Sequence, residues 1–236
     1  MFDEACGSRS SRARGGGARS NPTRLLAVGR LVPKKGFDTL IAAFAEVRAS
    51  WPGLLTLRVV GEGPERERLQ ALAKDSHLAS SIEFLGQLPN DKVLHEMRLA
   101  DMFCLLCRRS QDGDMDGAPN VIQEAQYLRL PVVSTRISGL PGIVQEGQTA
   151  ILVPPEDPAA ACRAILQLLH DRDLRTAMGS AGRNFIRRDL SMHRNVQQAM
   201  IPIFSDLMGS MRPPNWSHER AKPEGLRVKC VVAGGL

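Results

Sequence analysis

Asp112-Gly113-Asp114-Met115-Asp116-Gly117-Ala118-Pro119-Asn120-Val121-Ile122-Gln123-Glu124-Ala125 is the stretch on which the fold turns, together with the apolar Leu130-Pro131-Val132-Val133 that follows it. A polar, glycine-containing loop gives way to a helical pattern and then to a buried strand. Pro119 suits a first helical turn, where its missing N–H would lack a partner anyway. Asp116 then lies on the loop before the helix, and Glu124 lies just over one turn inside it. Both carboxylates can face one ligand over the helix N-terminus. Two acceptors there suit a ligand with several hydroxyls, and the helix end suits phosphate. A sugar nucleotide combines the two.

Outward from this stretch, short apolar runs alternate with helical patterns. Strands are expected at Leu25–Gly29, Leu55–Val60, Ile82–Leu85, Met102–Leu106, Val132–Ser134 and Ala150–Val153. Helices are expected at Phe37–Arg48, Glu65–Ala73, Asp91–Arg98, Asn120–Leu128, Pro158–Leu169, Arg172–Arg187 and Met192–Met208, the last kinked at Pro202. In the first helix Leu40, Ile41, Phe44 and Val47 share one face through spacings of three and four. Such alternation predicts an α/β domain: a single Rossmann-like, doubly wound parallel sheet with closing C-terminal helices. The ligand crevice is expected beyond the carboxyl ends of the strands.

Residues 1–23 read as a disordered basic lead-in, 24–208 as the folded domain and 209–236 as an irregular tail. The net charge of +6 belongs mostly to those ends, with +3 in residues 1–24 and +2 in residues 205–236. Basicity outside the fold argues against a nucleic-acid-binding face and leaves weak attraction to anionic headgroups. No apolar run reaches the ~20 residues of a bilayer span, and the start lacks the order of a signal peptide, so a cytoplasmic location is expected. The five cysteines are scattered, and Cys104-x-x-Cys107 falls in a buried strand, which predicts packed core thiols rather than a redox pair. The histidines have no metal spacing. A metal reading of Asp112, Asp114 and Asp116 lacks the further ligands and closing Glu of a calcium loop.

Three loops frame the expected crevice. Gly29-Arg30-Leu31-Val32-Pro33-Lys34-Lys35-Gly36 joins the first strand to the first helix. There Arg30 can fork onto phosphate oxygens and Lys35 adds a point charge. Gly61-Glu62-Gly63-Pro64 follows the second strand, and Glu83-Phe84-Leu85-Gly86 forms the third strand and its exit. From these residues alone, each loop could equally be a solvated basic turn or a structural strand-to-helix turn.

In combination the motifs resemble the C-terminal, donor-binding half of retaining GT-B glycosyltransferases of family 4 (group 1), over roughly Leu25–Phe204. The Asp-Gly-Asp-Met-Asp-Gly lead-in is most similar to the colanic acid and exopolysaccharide subgroup. The resemblance implies transfer of a sugar, with retention and without a metal or other cofactor, from a nucleotide-diphosphate sugar to a polysaccharide or lipid-linked acceptor. It implies that Arg30 and Lys35 hold the donor diphosphate, Asp116 the donor sugar and Glu124 the ribose. Gly29, Gly61, Gly63, Gly86 and Asn120 are then expected to line the donor. It also implies a second, N-terminal acceptor domain or a partner subunit; the basic ends leave room for peripheral association with the inner face of the membrane. A face left open for that domain is expected to be apolar. Three positions depart from the family pattern: Asp116 stands for the usual Glu, Gly142 for a Glu in the loop before Ile143-Val144, and Arg129 for a helix-ending Gly. Two rival readings stay open: a sugar-nucleotide-binding module or truncated fragment inactive without its acceptor domain, and a degenerate protein that binds nothing.

Overall fold

A computed structural model describes residues 22–109, 119–137 and 140–189. Six strands form one sheet: β1 (Thr23–Val28), β2 (Leu55–Val60), β3 (Ile82–Phe84), β4 (Met102–Leu105), β5 (Val132–Thr135) and β6 (Ala150–Val153). All pairings are parallel and the spatial order is β3-β2-β1-β4-β5-β6. The helices are α1 (Phe37–Ser50), α2 (Arg66–Asp75), α3 (Asn90–Leu99), α4 (Asn120–Tyr127), α5 (Pro158–His170) and α6 (Arg172–Asp189). This is the doubly wound, Rossmann-like architecture that the alternation predicts, the GT-B half of the resemblance.

Burial on both faces explains the sequence pattern. β4 and β5 are buried at every position, so they read as continuous apolar or small-residue runs rather than alternating ones. Right-handed crossovers place α1 and α2 on one face and α3 and α4 on the other. α1 packs on α2 and α5, whereas α4 packs on α6. Phe44 on α1 and Phe103 on β4 are wholly buried. α5 begins with Pro158 in its first turn, and the Asp157 carboxylate accepts the Ala160 N–H at 2.8 Å, a cap that satisfies one of the end donors.

The boundaries shift by a residue or two from those read in the sequence. β1 begins at Thr23, one residue before the expected domain start, and ends at Val28, which leaves Gly29 in the loop. Pro119 is the N-cap of α4 rather than its first helical residue, with an extended backbone (φ −61°, ψ 116°). The expected Met192–Met208 helix and both terminal segments lie outside the described residues. Cys104, Cys107 and Cys162 are buried free thiols, and burial pushes the Cys104 thiol up to about 12, so it stays protonated and inert.

The expected apolar open face is not found among the described residues. Their large exposed hydrophobic side chains are Leu54 and Leu99. These precede β2 and β4, at the amino-terminal edge of the sheet, away from the crevice. The described rim of the crevice is polar and charged instead.

Candidate functional site

The strand order reverses direction at β1, whose neighbours are β2 and β4. The crevice of such a sheet lies at this point, where the loops leaving β1 and β4 diverge to opposite faces. The loops there are joined by backbone. Gly29 N–H donates to Val60 O at 3.0 Å, Leu31 N–H to Glu62 O at 2.8 Å, and Gly61 N–H to Gly86 O at 2.8 Å. A Cβ on Gly61 would lie 1.9 Å from Gly29 O, and one on Gly63 would lie 2.4 Å from Leu31 O. The three glycine turns of the sequence are therefore one assembly, in which absent side chains let main chains touch. On the β4 side, Gly36 has φ +64° and a Cβ there would meet Leu106 O at 1.8 Å. Arg108 N–H donates to Lys34 O at 2.8 Å.

On this backbone floor Arg30 is exposed. Lys35 ends the 3-10 turn Pro33–Lys35, and its stem runs over Gly29: a Cβ built on that glycine would be 3.6 Å from Lys35 Cδ and Cε. Both cations are thus carried by the loop that the glycines shape. α4 starts at the carboxyl edge, because it follows β4 and must run back to begin the parallel β5. It carries exposed Asn120 in its first turn and half-buried Glu124 in its second. Asp112, Asp114 and Asp116 lie outside the described residues, as do Ser138 and Gly139. Among the described residues no group of three His, Cys, Asp or Glu is placed to hold a metal ion. A separate open cleft of about 570 Å³, lined by Gln145, Gln148, Asn184, Phe185 and Arg187 among others, contains none of the residues expected to bind the donor.

One group at the site is not evident from motifs: an alternating run of charges along the carboxyl edge. Asp38, in the first turn of α1, accepts from Arg108 at 2.9 Å and from Arg68 at 3.0 Å; Arg68 also pairs with Glu65, and Arg108 lies 3.5 Å from Glu156. The run ties the starts of α1 and α2 to the exits of β4 and β6. Burial pushes the Asp38 carboxyl up. Hydrogen bonds from Arg68 and from the Thr39 N–H, with the Arg108 charge, outweigh that and hold it below the ordinary carboxylate value. Two buried hydroxyls clamp the same β4 exit from the other side. Ser134 donates to Leu105 O at 2.6 Å, and Thr135 donates to Cys107 O. The sequence signal was Arg108-Arg109, two cations directly after a buried strand.

The three departures from the family pattern have different settings. Arg129 is left-handed (φ +62°), the conformation in which glycine is favoured, and its side chain is exposed. Its carbonyl lies against Gly179 of α6, where a Cβ would be 2.2 Å away. Gly142 has open space around the position of a Cβ. Beside it, buried Gln126 on α4 donates to Ile143 O at 2.8 Å, so the loop stays tied to α4 without an acidic residue at position 142. Asp116 lies outside the described residues.

Comparison with known proteins agrees with this arrangement. Residues 9–185 match the family model described as glycosyl transferases group 1. A GDP-mannose-dependent alpha-(1-6)-phosphatidylinositol monomannoside mannosyltransferase of Mycobacterium tuberculosis is 36% identical over 163 residues, covering 69% of this chain and 42% of that protein. A putative colanic acid biosynthesis glycosyltransferase of Salmonella typhimurium is 32% identical over 171 residues, covering 72% and 42%. The crystal structure of Anabaena HepE in complex with UDP and glucose superposes with a TM-score of 0.67 at 20% identity, over 81% of this chain and 49% of that one, a likeness of fold. The chain spans less than half the length of these relatives. A match over three-quarters of its length places the chain in the group 1 glycosyltransferase family.

Proposed function

We propose that this chain is the donor-binding half of a glycosyltransferase that transfers a sugar, with retention, from a nucleotide-diphosphate sugar to a growing cell-surface polysaccharide or a lipid-linked acceptor. The observation that carries this reading is the glycine-built junction of the β1, β2 and β3 exits, which sets Arg30 and Lys35 over bare main chain at the switch point. A diphosphate leaving group needs positive charge as its bond to the sugar breaks. Arg30 and Lys35 supply it where a metal would otherwise serve, and no metal or other cofactor takes part. Glu124 holds the ribose hydroxyls and Asp116 orients the donor sugar. Gly29, Gly61, Gly63, Gly86 and Asn120 line the donor. The Mycobacterium relative is named for GDP-mannose and the Anabaena structure holds UDP, so the nucleotide base is the variable the test must read. The acceptor is bound by a second domain or a partner subunit, with the reaction at the cytoplasmic face of the membrane.

A second reading is donor binding without turnover by this chain alone. Addition of a purified acceptor-domain partner separates the two, since restored transfer sinks the binding-only reading.

Thermal unfolding with UDP, GDP, ADP and their sugar conjugates tests donor binding. A ligand that binds only the folded chain stabilises it by about 2.7 kcal/mol at one hundred times its dissociation constant. One nucleotide series is expected to raise the Tm of the wild type and to leave an Arg30→Ala/Glu124→Ala double variant unmoved. Equal shifts in both proteins, or none with any nucleotide, would overturn the reading.

A further inference from the structure

Arg108 and Arg109 are adjacent in sequence and opposite in circumstance. The Arg108 side chain is 17% exposed and is held by Asp38 at 2.9 Å, with Glu156 beyond it. Arg109 is exposed, and among the described residues its guanidinium has no hydrogen bond or ion pair. Arg30 across the crevice is in the same condition. The backbone fixes where Arg109 stands. β4 lies beside β1 in parallel register, Leu106 O presses on Gly36, and Arg108 N–H bonds to Lys34 O. Arg109 is one peptide further on, about 3.8 Å between Cα atoms. It therefore stands next to the Lys34–Lys35 turn, whose second lysine reaches back over Gly29.

Three carboxylates near this point are engaged. Asp38 and Glu156 face Arg108, and Glu62 pairs with Arg66. Arg30, Lys35 and Arg109 are thus carried by adjoining loops at the switch point. Exposed Arg30 and Arg109 on adjoining loops favour an anion between them. The rigid clamp on Arg108 makes this arrangement standing rather than adaptive, because the residue before Arg109 is fixed through both its N–H and its side chain.

We propose that Arg109 is a further binding residue of this site, a third cationic contact for the diphosphate group of the ligand, beside Arg30 and Lys35. The inference rests on the donor-site reading above and extends it to the β4 side of the crevice. Arg108 is the positioning residue: its guanidinium faces Asp38, and it delivers its neighbour to the anion.

Inorganic pyrophosphate is the probe, titrated calorimetrically into the full chain at low ionic strength, with UDP, GDP, ADP and uridine in parallel. Variants R109Q, R109K and R98Q are compared, Arg98 being an exposed cation in the last turn of α3, far from the crevice. A charge-assisted contact of this kind is worth about a factor of ten in affinity. R109Q is expected to weaken pyrophosphate about ten-fold and R109K less. R98Q should leave it unchanged, and R109Q should melt no lower than the wild type when no anion is present. Equal affinity of R109Q and wild type, equal weakening by R98Q, or no pyrophosphate binding by the wild type would each overturn the proposal. A nucleoside diphosphate that binds wild type and R109Q alike would remove Arg109 from the site and leave the donor reading standing. Pyrophosphate binding lost in R109Q, with no nucleotide bound more tightly than pyrophosphate, would uphold Arg109 and sink the donor reading.

Discussion

Gly36 and Arg129 have almost the same backbone angle, φ +64° and φ +62°, yet one is a glycine and the other a long charged side chain. Gly36 sits at the β1–β4 crevice with Leu106 O in the place a Cβ would need. Arg129 ends α4 at the surface, and the close main-chain approach there is accommodated by Gly179 on the opposing helix. A left-handed residue costs about 1–2 kcal/mol for any side chain, which a domain can tolerate. A side chain driven into a carbonyl is a different matter. The crevice needs its glycines because main chains touch there; the end of α4 has moved that need to α6.

The comparison breaks most readily at Gly36→Ala. A methyl group 1.8 Å from Leu106 O forces the β1 and β4 loops apart, and the expected loss is about 3 kcal/mol or more, read by denaturant unfolding. Stability within about 0.5 kcal/mol of wild type would show that the two exits are not in main-chain contact.

Gly179→Ala tests the other side. In an ordinary helix interior the change from Gly to Ala stabilises by up to about 1 kcal/mol. Here a Cβ 2.2 Å from Arg129 O reverses the sign, and a loss of about 2 kcal/mol is expected. A rise in Tm would mean that the α4–α6 packing yields and that Gly179 compensates for nothing.

Asp38→Asn removes the charge that organises the crevice edge while keeping the shape. It should cost about 1.5 kcal/mol at neutral pH, since charged hydrogen bonds from Arg68 and Arg108 are weakened. The sign with pH follows from a folded-state pKa below the unfolded 3.8. Stability from this carboxylate is fully present above the unfolded value and is lost as pH falls through the folded one. The gap between wild type and variant should therefore be constant from pH 5 to 7 and close below about pH 4. A gap that does not narrow as pH falls below about 4 would assign the effect to packing.

Arg129→Gly gives the smallest expected change and the only gain. Release of a left-handed side chain at an exposed position should stabilise by about 1 kcal/mol and raise Tm by a few degrees. Nucleotide affinity should be unchanged, because the change lies at the far end of α4 from Asn120.

Much of this was legible in the chain itself. Strand–helix alternation specified the doubly wound sheet because a strand buried on both faces must be apolar throughout, as Met102-Phe103-Cys104-Leu105 is, and a helix on one face must repeat every three to four residues, as Leu40, Ile41, Phe44 and Val47 do. The positions of Arg30 and Lys35 in the loop after β1 and of Glu124 in α4 followed from the glycine turn and the helical pattern. Arg129 at the end of α4 was marked as a departure from a helix-ending Gly, and the structure makes it left-handed.

Other features depended on which elements became neighbours. Asp38, Arg108 and Glu156 are separated by 70 and 48 residues, and no local pattern links them. They meet because β1, β4 and β6 leave the same edge of one parallel sheet. Gly179 has no local signal within α6; the fold sets Arg129 O against it. The polar rim, where an apolar face was expected, likewise follows from packing, which leaves Leu54 and Leu99 at the other edge. Sequence determined the elements and the charged loops, because periodicity and turn chemistry act over a few residues. Tertiary structure decided which charges are paired and which glycines are indispensable, because each depends on atoms brought together from distant parts of the chain.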